Sequence, residues 1–175
     1  MSPTPVDGEP GTAEAQGDPV AFAREIALRQ LTVRARSRAE LARALARKLV
    51  PQEVAETVLD RLAEVGLVDD EVFARDWLAA GARRQKSRRA LLAELAEKGV
   101  DRDLVESVAA ELDGDRDYEV AMGFATRKAA SLAGLEPAVR YRRLAGALAR
   151  RGFSSGVVAR VTREVLADLP ELLAD

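Results

Sequence analysis

The sequence repeats itself, and this self-similarity limits the possible folds more than any other feature. A shift of 50 residues places apolar residues on apolar ones and basic residues on basic ones, and a further shift of 53 extends the match towards the C-terminus. Self-similarity at this period is typical of tandem structural repeats. The first shift carries Ser37, Arg38, Leu41, Leu45, Lys48 and Val50 onto Ser87, Arg88, Leu91, Leu95, Lys98 and Val100, and the second carries the later ones onto Leu144, Leu148, Arg151 and Phe153.

Within each unit, apolar residues recur at helical spacing. Leu41, Leu45 and Leu49 form one such stripe at i, i+4 and i+8, and turn signals divide each unit into three helical stretches. Alternating, β-branched stretches between turns are missing, so we expect no sheet. The sequence therefore predicts an all-α fold of three tandem three-helix repeats that form an elongated, curved molecule.

Composition and turn residues set the predicted boundaries. Residues 1–17 are rich in Pro, Gly and acidic residues without apolar periodicity, which predicts a disordered acidic tail. The repeats are predicted at 18–66, 67–114 and 115–168, followed by a C-terminal tail at 169–175.

Capping signals mark several helix ends. Asp18 followed by Pro19 indicates the start of the first helix, which we expect to run to about Arg36. The second helix is predicted to start near Arg38, because residues 37–40 have the spacing of a capping box, in which a serine and a glutamate satisfy free amides.

Glycine marks the turn between the second and third helices of two repeats. Gly99 and Gly152 suit a left-handed residue at a helix end, whereas Leu49 stands at the same place in the first repeat. Leucine is strained in that conformation, so the first turn is expected to close differently, helped by Pro51.

The residue types exclude several classes of chemistry. The chain contains no Cys and no His, which removes thiolate and imidazole nucleophiles, histidine general bases and the usual transition-metal ligands, and gives no sign of a disulfide framework. It has neither a phosphate-binding glycine loop nor a membrane-spanning apolar run. Asp69, Asp70 and Asp76 are interpreted as helix-capping acids. We therefore expect no enzyme, metal or cofactor, and a cytoplasmic location.

The charge is nearly balanced but unevenly distributed. The formal net charge is −2, and the first 20 residues hold four carboxylates and no base, so the rest of the chain carries +2. Such a protein is not held on nucleic acid by bulk charge alone.

Basic residues cluster where the first helix of each repeat meets the second. Bases near the C-terminus of a helix stabilise its macrodipole, which would account for Arg34, Arg36, Arg83 and Arg84. Cations in the first turn of the following helix are unfavourable there, which favours contact with a polyanion or with carboxylates of a partner. Candidates of this second kind are Arg38, Arg88, Arg89, Arg142 and Arg143, and the junctions also hold Lys86 and Arg140.

The aromatic residues are predicted to fill the core. Phe22, Phe73, Trp77, Phe124 and Phe153 occupy positions compatible with an apolar helix face. Stacking of bases on exposed rings is therefore not expected to be the main way of binding a nucleic acid.

Three segments together resemble the bacterial RecX regulatory proteins. They are Arg34-Ala-Arg-Ser-Arg-Ala-Glu-Leu41, Gly66-Leu-Val-Asp-Asp-Glu-Val-Phe-Ala74 and the turn Lys98-Gly-Val100, within a likeness that spans about residues 22–166. The resemblance implies a curved three-repeat protein that binds the RecA recombinase filament on single-stranded DNA. It also implies inhibition of RecA ATPase, strand-exchange and co-protease activities, with contact to bare DNA weak or dependent on the filament. Three stacked repeats give no reason to require a dimer, so we expect a monomer.

Two other binding functions remain open from the residues. The second helix, turn and third helix resemble a helix-turn-helix, which would suit a direct DNA-binding protein. A helical-repeat adaptor for another protein partner would use its arginines to bind acidic side chains.

Overall fold

The computed structural model describes residues 18–111 and 116–167, apart from the side chain of residue 82. Within those ranges it contains nine helices and no strand, which confirms the all-α prediction. The predicted acidic tail at 1–17 and the C-terminal tail at 169–175 lie outside the described residues. The helices are α1 (Pro19–Val33), α2 (Arg38–Ala46), α3 (Gln52–Glu64), α4 (Asp70–Arg83), α5 (Arg88–Glu97), α6 (Arg102–Ala110), α7 (Arg116–Ala130), α8 (Pro137–Arg150) and α9 (Ser155–Ala167).

Each group of three helices encloses its own apolar core, as expected for three repeats. The second helix of each group contributes two leucines at i and i+4 that are completely buried. Complete burial of a leucine stabilises a fold by roughly 1.5–3 kcal/mol, so these pairs anchor the three cores. The leucines are Leu41 and Leu45, Leu91 and Leu95, and Leu144 and Leu148.

The described residues form two compact units. The first comprises residues 18–36 and 40–68, which is nearly all of the first repeat. The second comprises residues 37–39 together with the described parts of the second and third repeats.

Inside the second unit, the second and third repeats are joined by hydrogen bonds at the start of α5. The backbone amide of Ser87 donates to the carbonyl of Arg151 at 3.1 Å. The backbone amide of Arg88 donates to Oδ1 of Asp117, in the first turn of α7, at 2.7 Å. The N-terminus of α5 is therefore capped by a carboxylate from the following repeat.

Ser37 and Arg38 form a similar junction within the same unit, although the serine donates to the turn of the next repeat through its hydroxyl, where Ser87 donates through its amide. The Ser37 hydroxyl donates to the carbonyl of Lys98 at 2.6 Å, and the backbone amide of Arg38 donates to Oδ1 of Asp70 at 2.8 Å. Ser37 and Ser87 are both fully buried. The sequence repeat therefore corresponds to a repeated junction, with an aspartate from a first helix binding the start of a second helix.

The left-handed turn is present in all three repeats. Gly99 and Gly152 have φ of 77° and 86°, and Leu49 has φ of 59°, so the expectation of a different first turn is wrong. Packing explains why glycine is required at only some of these positions. A Cβ on Gly152 would lie 2.7 Å from Ser87 Oγ, whereas the Leu49 side chain is 90 % exposed and meets no such obstacle.

Two other details differ from the prediction. Helix α1 ends at Val33 rather than Arg36, because Arg34 adopts an extended conformation with φ of −167°. The preceding β-branched pair, residues 32 and 33, also weakens the helix there. Phe22 is 53 % exposed instead of buried, since Ala23 and Ala27 occupy the buried face of α1 and Phe22 is turned about 100° away from it.

Replacing Leu49 by glycine is expected to stabilise the protein by about 0.5 kcal/mol, since relief of left-handed strain slightly exceeds the entropy that glycine gains on unfolding. Gly152→Ala is expected to destabilise it by about 2–4 kcal/mol, because the new Cβ has both positive φ and a close neighbour. Urea unfolding followed by circular dichroism measures both changes. Equal effects of the two substitutions would contradict the packing explanation.

Asp117→Ala is expected to lower the free energy of unfolding by about 1 kcal/mol, because the Arg88 amide loses its carboxylate acceptor. Asp103→Ala is the matched control. It removes the same charge from the first turn of α6, where Asp101 supplies the cap, and should cost only a few tenths of a kcal/mol. Thermal melts of both variants test whether the cap from the next repeat matters.

Candidate binding surfaces

In the first basic cluster, which comprises Arg34, Arg36 and Arg38, some of the basic side chains have partners within the chain. Arg34 pairs with Glu40 through two hydrogen bonds of 2.7 and 3.2 Å and also donates to the Ala35 carbonyl at 2.8 Å. Arg34 is the C-cap of α1 and Arg36 lies two residues further on, so both lie just beyond the last turn of the helix, and their stabilisation of the macrodipole stays a prediction. Arg36 is half-buried, and its Nε has no hydrogen-bond partner among the described residues.

Arg38 and Arg88 occupy the first turns of their helices, where a cation is unfavourable. Their backbone amides donate to Asp70 and Asp117, which place a carboxylate at each of these helix ends. A negative charge at a helix N-terminus offsets the macrodipole. The structure thus gives these positions a role in the repeat junctions that does not require an external ligand.

In the second cluster, two of the five basic residues have partners within the chain. Lys86 forms an ion pair with Glu94, which also accepts a 3.0 Å hydrogen bond from the indole of Trp77. The Arg84 guanidinium lies 4.8 Å from the centroid of the Trp77 ring, and Lys98 Nζ lies 4.1 Å from it. Arg84 and Lys86 therefore hold the half-buried indole in place.

Arg83 and Arg89 differ from those neighbours. Both side chains are exposed, and neither forms an ion pair with a residue that the structure describes. Arg83 lies in the last turn of α4, as expected for a base that stabilises the macrodipole. Arg89 lies in the first turn of α5, where the helix gives it no such support. These two are the exposed cations of the second junction that have no side-chain partner among the described residues.

The third cluster lines an open groove of about 450 Å³ beside α8. Arg142 and Arg143 contribute to it, but the prediction that they lie in the first turn of their helix is wrong, because α8 already begins at Pro137 and they lie in its middle. Arg140 is half-buried with its Nε unpartnered among the described atoms and does not line the groove. The groove contains four basic side chains, two apolar ones and no acid. Its lining residues are Lys128, Leu132, Arg142, Arg143, Ala147 and Arg150.

Two of these cations were not among the sequence candidates. Arg150 could have been found from helical spacing, because Arg143, Ala147 and Arg150 follow one another at i, i+4 and i+7 on one face of α8. Lys128 comes from the last turn of α7, and no local pattern relates it to α8. Only the packing of the two helices brings it to the groove.

Several of the acidic residues have structural partners. Oδ1 of Asp69 accepts hydrogen bonds from the amides of Glu71 and Val72 at 2.9 and 3.0 Å, which confirms it as a helix cap. Glu164 binds the Tyr118 hydroxyl, which raises the pKa of Tyr118 above its usual range and lowers the pKa of Glu164. Within residues 18–111 and 116–167, no three potential metal-ligating side chains come together. None of the helices described is long and apolar enough to cross a membrane.

Comparison with known protein families matches all three repeats in order. Residues 23–62, 69–108 and 115–162 match the first, second and third three-helix domains of RecX. The regulatory protein RecX of Thermobifida fusca is 47 % identical over 161 residues, covering 91 % of this chain and 87 % of its own length. The chain belongs to the RecX family.

Other RecX proteins show the same extent of similarity. The regulatory protein RecX of Streptomyces coelicolor is 44 % identical over 154 residues, covering 87 % of this chain and 82 % of its own. That of Mycobacterium avium is 44 % identical over 170 residues, covering 95 % and 92 %. The crystal structure of RecX from Lactobacillus salivarius shares the fold, with a TM-score of 0.70 at 17 % identity over 84 % of this chain and 96 % of that one.

The different surroundings of the arginines in this RecX chain lead to a stability prediction. Arg84→Ala with Lys86→Ala should lower the free energy of unfolding by about 1–2 kcal/mol, because a cation–π contact and an ion pair are lost. Arg83→Ala with Arg89→Ala removes the same charge from the same junction but should change stability by less than about 0.5 kcal/mol. Urea titrations of the two double variants make the comparison, and similar losses would show that Arg83 and Arg89 also have a structural role.

Proposed function

We propose that this chain is a regulatory protein that binds the RecA filament on single-stranded DNA and inhibits its ATPase, strand-exchange and co-protease activities. The observation that carries the proposal is membership of the RecX family over nearly the whole chain, with 91 % of it matched by one regulatory relative. RecA is the partner that the resemblance to this family implies. The protein acts in the cytoplasm as a monomer and as a binding partner, not as an enzyme.

Exposed cations support contact with a charged filament. Arg83 and Arg89 in the second repeat, and the basic groove in the third, present positive charge that no acid in the described structure neutralises. Guanidinium groups of this kind bind both phosphates and carboxylates in bidentate fashion. A filament of protein and DNA offers both.

Exposed apolar side chains in the first unit support a protein partner. Leu28, Val65 and Leu67 line a groove of about 360 Å³ between α1 and α3. They are 38 %, 68 % and 52 % exposed. Apolar surface of this kind is typical of protein contacts. Because the chain has a net charge of −2, such contacts would have to supply much of the affinity for the filament.

The test is the rate of ATP hydrolysis by RecA on single-stranded DNA, measured with increasing amounts of the chain. The wild type is expected to inhibit at well below one molecule per RecA. Arg83→Ala with Arg89→Ala should require roughly tenfold more protein, since each lost charged contact costs about 0.5–1 kcal/mol. The control is Arg29→Ala with Arg102→Ala, two exposed arginines that only pair with Glu25 and Glu106 on their own helices, and it should inhibit like the wild type.

The outcomes separate the competing functions. A folded, helical wild type that leaves RecA ATPase unchanged would overturn the proposal and favour an adaptor for another protein. Equal affinity for bare single-stranded DNA and for the filament would show that contacts with RecA protein do not contribute to binding. A strong preference for one duplex sequence at fixed salt would favour a direct DNA-binding protein.

A further inference from the structure

The groove in the third repeat gathers four cations and no acid around one concave surface. Lys128, Arg142, Arg143 and Arg150 line it together, and none of them forms an ion pair with a described residue. At the other two junctions, acids pair with some of the bases, as Glu40 does with Arg34 and Glu94 with Lys86. Four like charges around one groove repel one another, so the groove favours an anionic ligand.

Helix stability accounts for only half of this charge. Lys128 and Arg150 lie in the last turns of α7 and α8, where a cation stabilises the macrodipole. Arg142 and Arg143 lie in the middle of α8 and have no such explanation. Their exposed guanidinium groups are the ones that an external ligand would have to satisfy.

The floor of the groove is apolar, and the helix beside it carries a glycine. Leu132 and Ala147 are buried beneath the cations. Gly146 leaves the surface of α8 without a side chain at that level, and a Cβ there would lie 3.3 Å from an Nη atom of Arg150. Glycine inside a helix lowers the stability of the helix by about 1 kcal/mol relative to alanine. Gly146 therefore leaves space for the Arg150 guanidinium but weakens α8.

We propose that this groove binds the phosphate backbone of single-stranded nucleic acid. Arg142 and Arg150 are eight residues apart, or about 12 Å along the helix axis, which favours a ligand with repeated anionic groups over one isolated anion. The sugars would lie over Leu132 and Ala147, between the charged side chains. This inference deepens the proposed function by assigning DNA contact to the third repeat, but its test does not require RecA.

Four phosphate contacts predict a slope of about −2.8 in a plot of log affinity against log salt for single strands. The experiment measures fluorescence anisotropy of labelled oligo(dT) with the full chain between low and physiological salt. Arg142→Ala with Arg143→Ala should flatten the slope by about 1.4. Arg29→Ala with Arg102→Ala removes the same net charge from exposed arginines that pair with Glu25 and Glu106 on their own helices, and it should leave the slope unchanged.

Two further measurements decide between ligands. Arg142→Lys with Arg143→Lys keeps the charge and should keep the slope, while the affinity falls through loss of bidentate bonds. Inorganic phosphate at equal ionic strength should compete no better than chloride, and strong competition would indicate a site for a single phosphate instead of a strand. Circular dichroism checks that each variant is folded.

The inference fails if the alanine pair in the third repeat leaves the salt slope of oligo(dT) binding at its wild-type value. If the slope is unchanged and the same pair nevertheless weakens inhibition of RecA ATPase, the groove binds carboxylates of a protein. If RecA is not inhibited at all but the slope flattens as expected, the groove binds DNA and the proposed filament function is wrong.

Discussion

The junction at the start of α5 is the contact on which the rest of the second unit depends. An aspartate from the first helix of one repeat binds the first amide of the second helix in the repeat before it, as Asp117 does for Arg88. The buried serine next to that amide meets the turn of the following repeat. A repeat of about 50 residues buries little surface alone, so bonds that join neighbours stabilise what each small core cannot.

This junction also explains the pattern of glycine and leucine in the turns. Two features require glycine at position 152, namely the left-handed backbone and the close approach of Ser87. Leu49 has the same left-handed backbone but no such close neighbour. A leucine with positive φ is uncommon and costs about 1–2 kcal/mol. That cost is tolerated at Leu49, whose side chain extends into solvent. A side chain at Gly152 would carry the same backbone strain and would also clash with Ser87.

Local signals in the sequence predicted the helices, the three repeats and the left-handed turns at Gly99 and Gly152, because apolar spacing and glycine act over a few residues. They did not predict the left-handed Leu49, since its turn carries no glycine. The helix caps supplied by the following repeat could not be predicted in this way, since Asp70 and Asp117 lie 32 and 29 residues from the amides they bind. The candidate site was predicted in part. Arg142 and Arg143 were nominated for their position in the chain, while Lys128 reaches the groove only through the packing of α7 against α8.

Arginine density in the sequence is therefore a poor guide to where the protein presents charge. The second junction has five bases in seven residues, yet Glu94 and Trp77 hold two of them and the amide of a third serves the repeat junction. The third repeat has its cations spread over two helices and gathers four around one open groove. Since unpaired charge at a concave surface attracts a polyanion more strongly than charge already paired within the chain, the positive field should be greatest at the groove. Burial and pairing decide which bases can meet a partner, and both are properties of the packed helices.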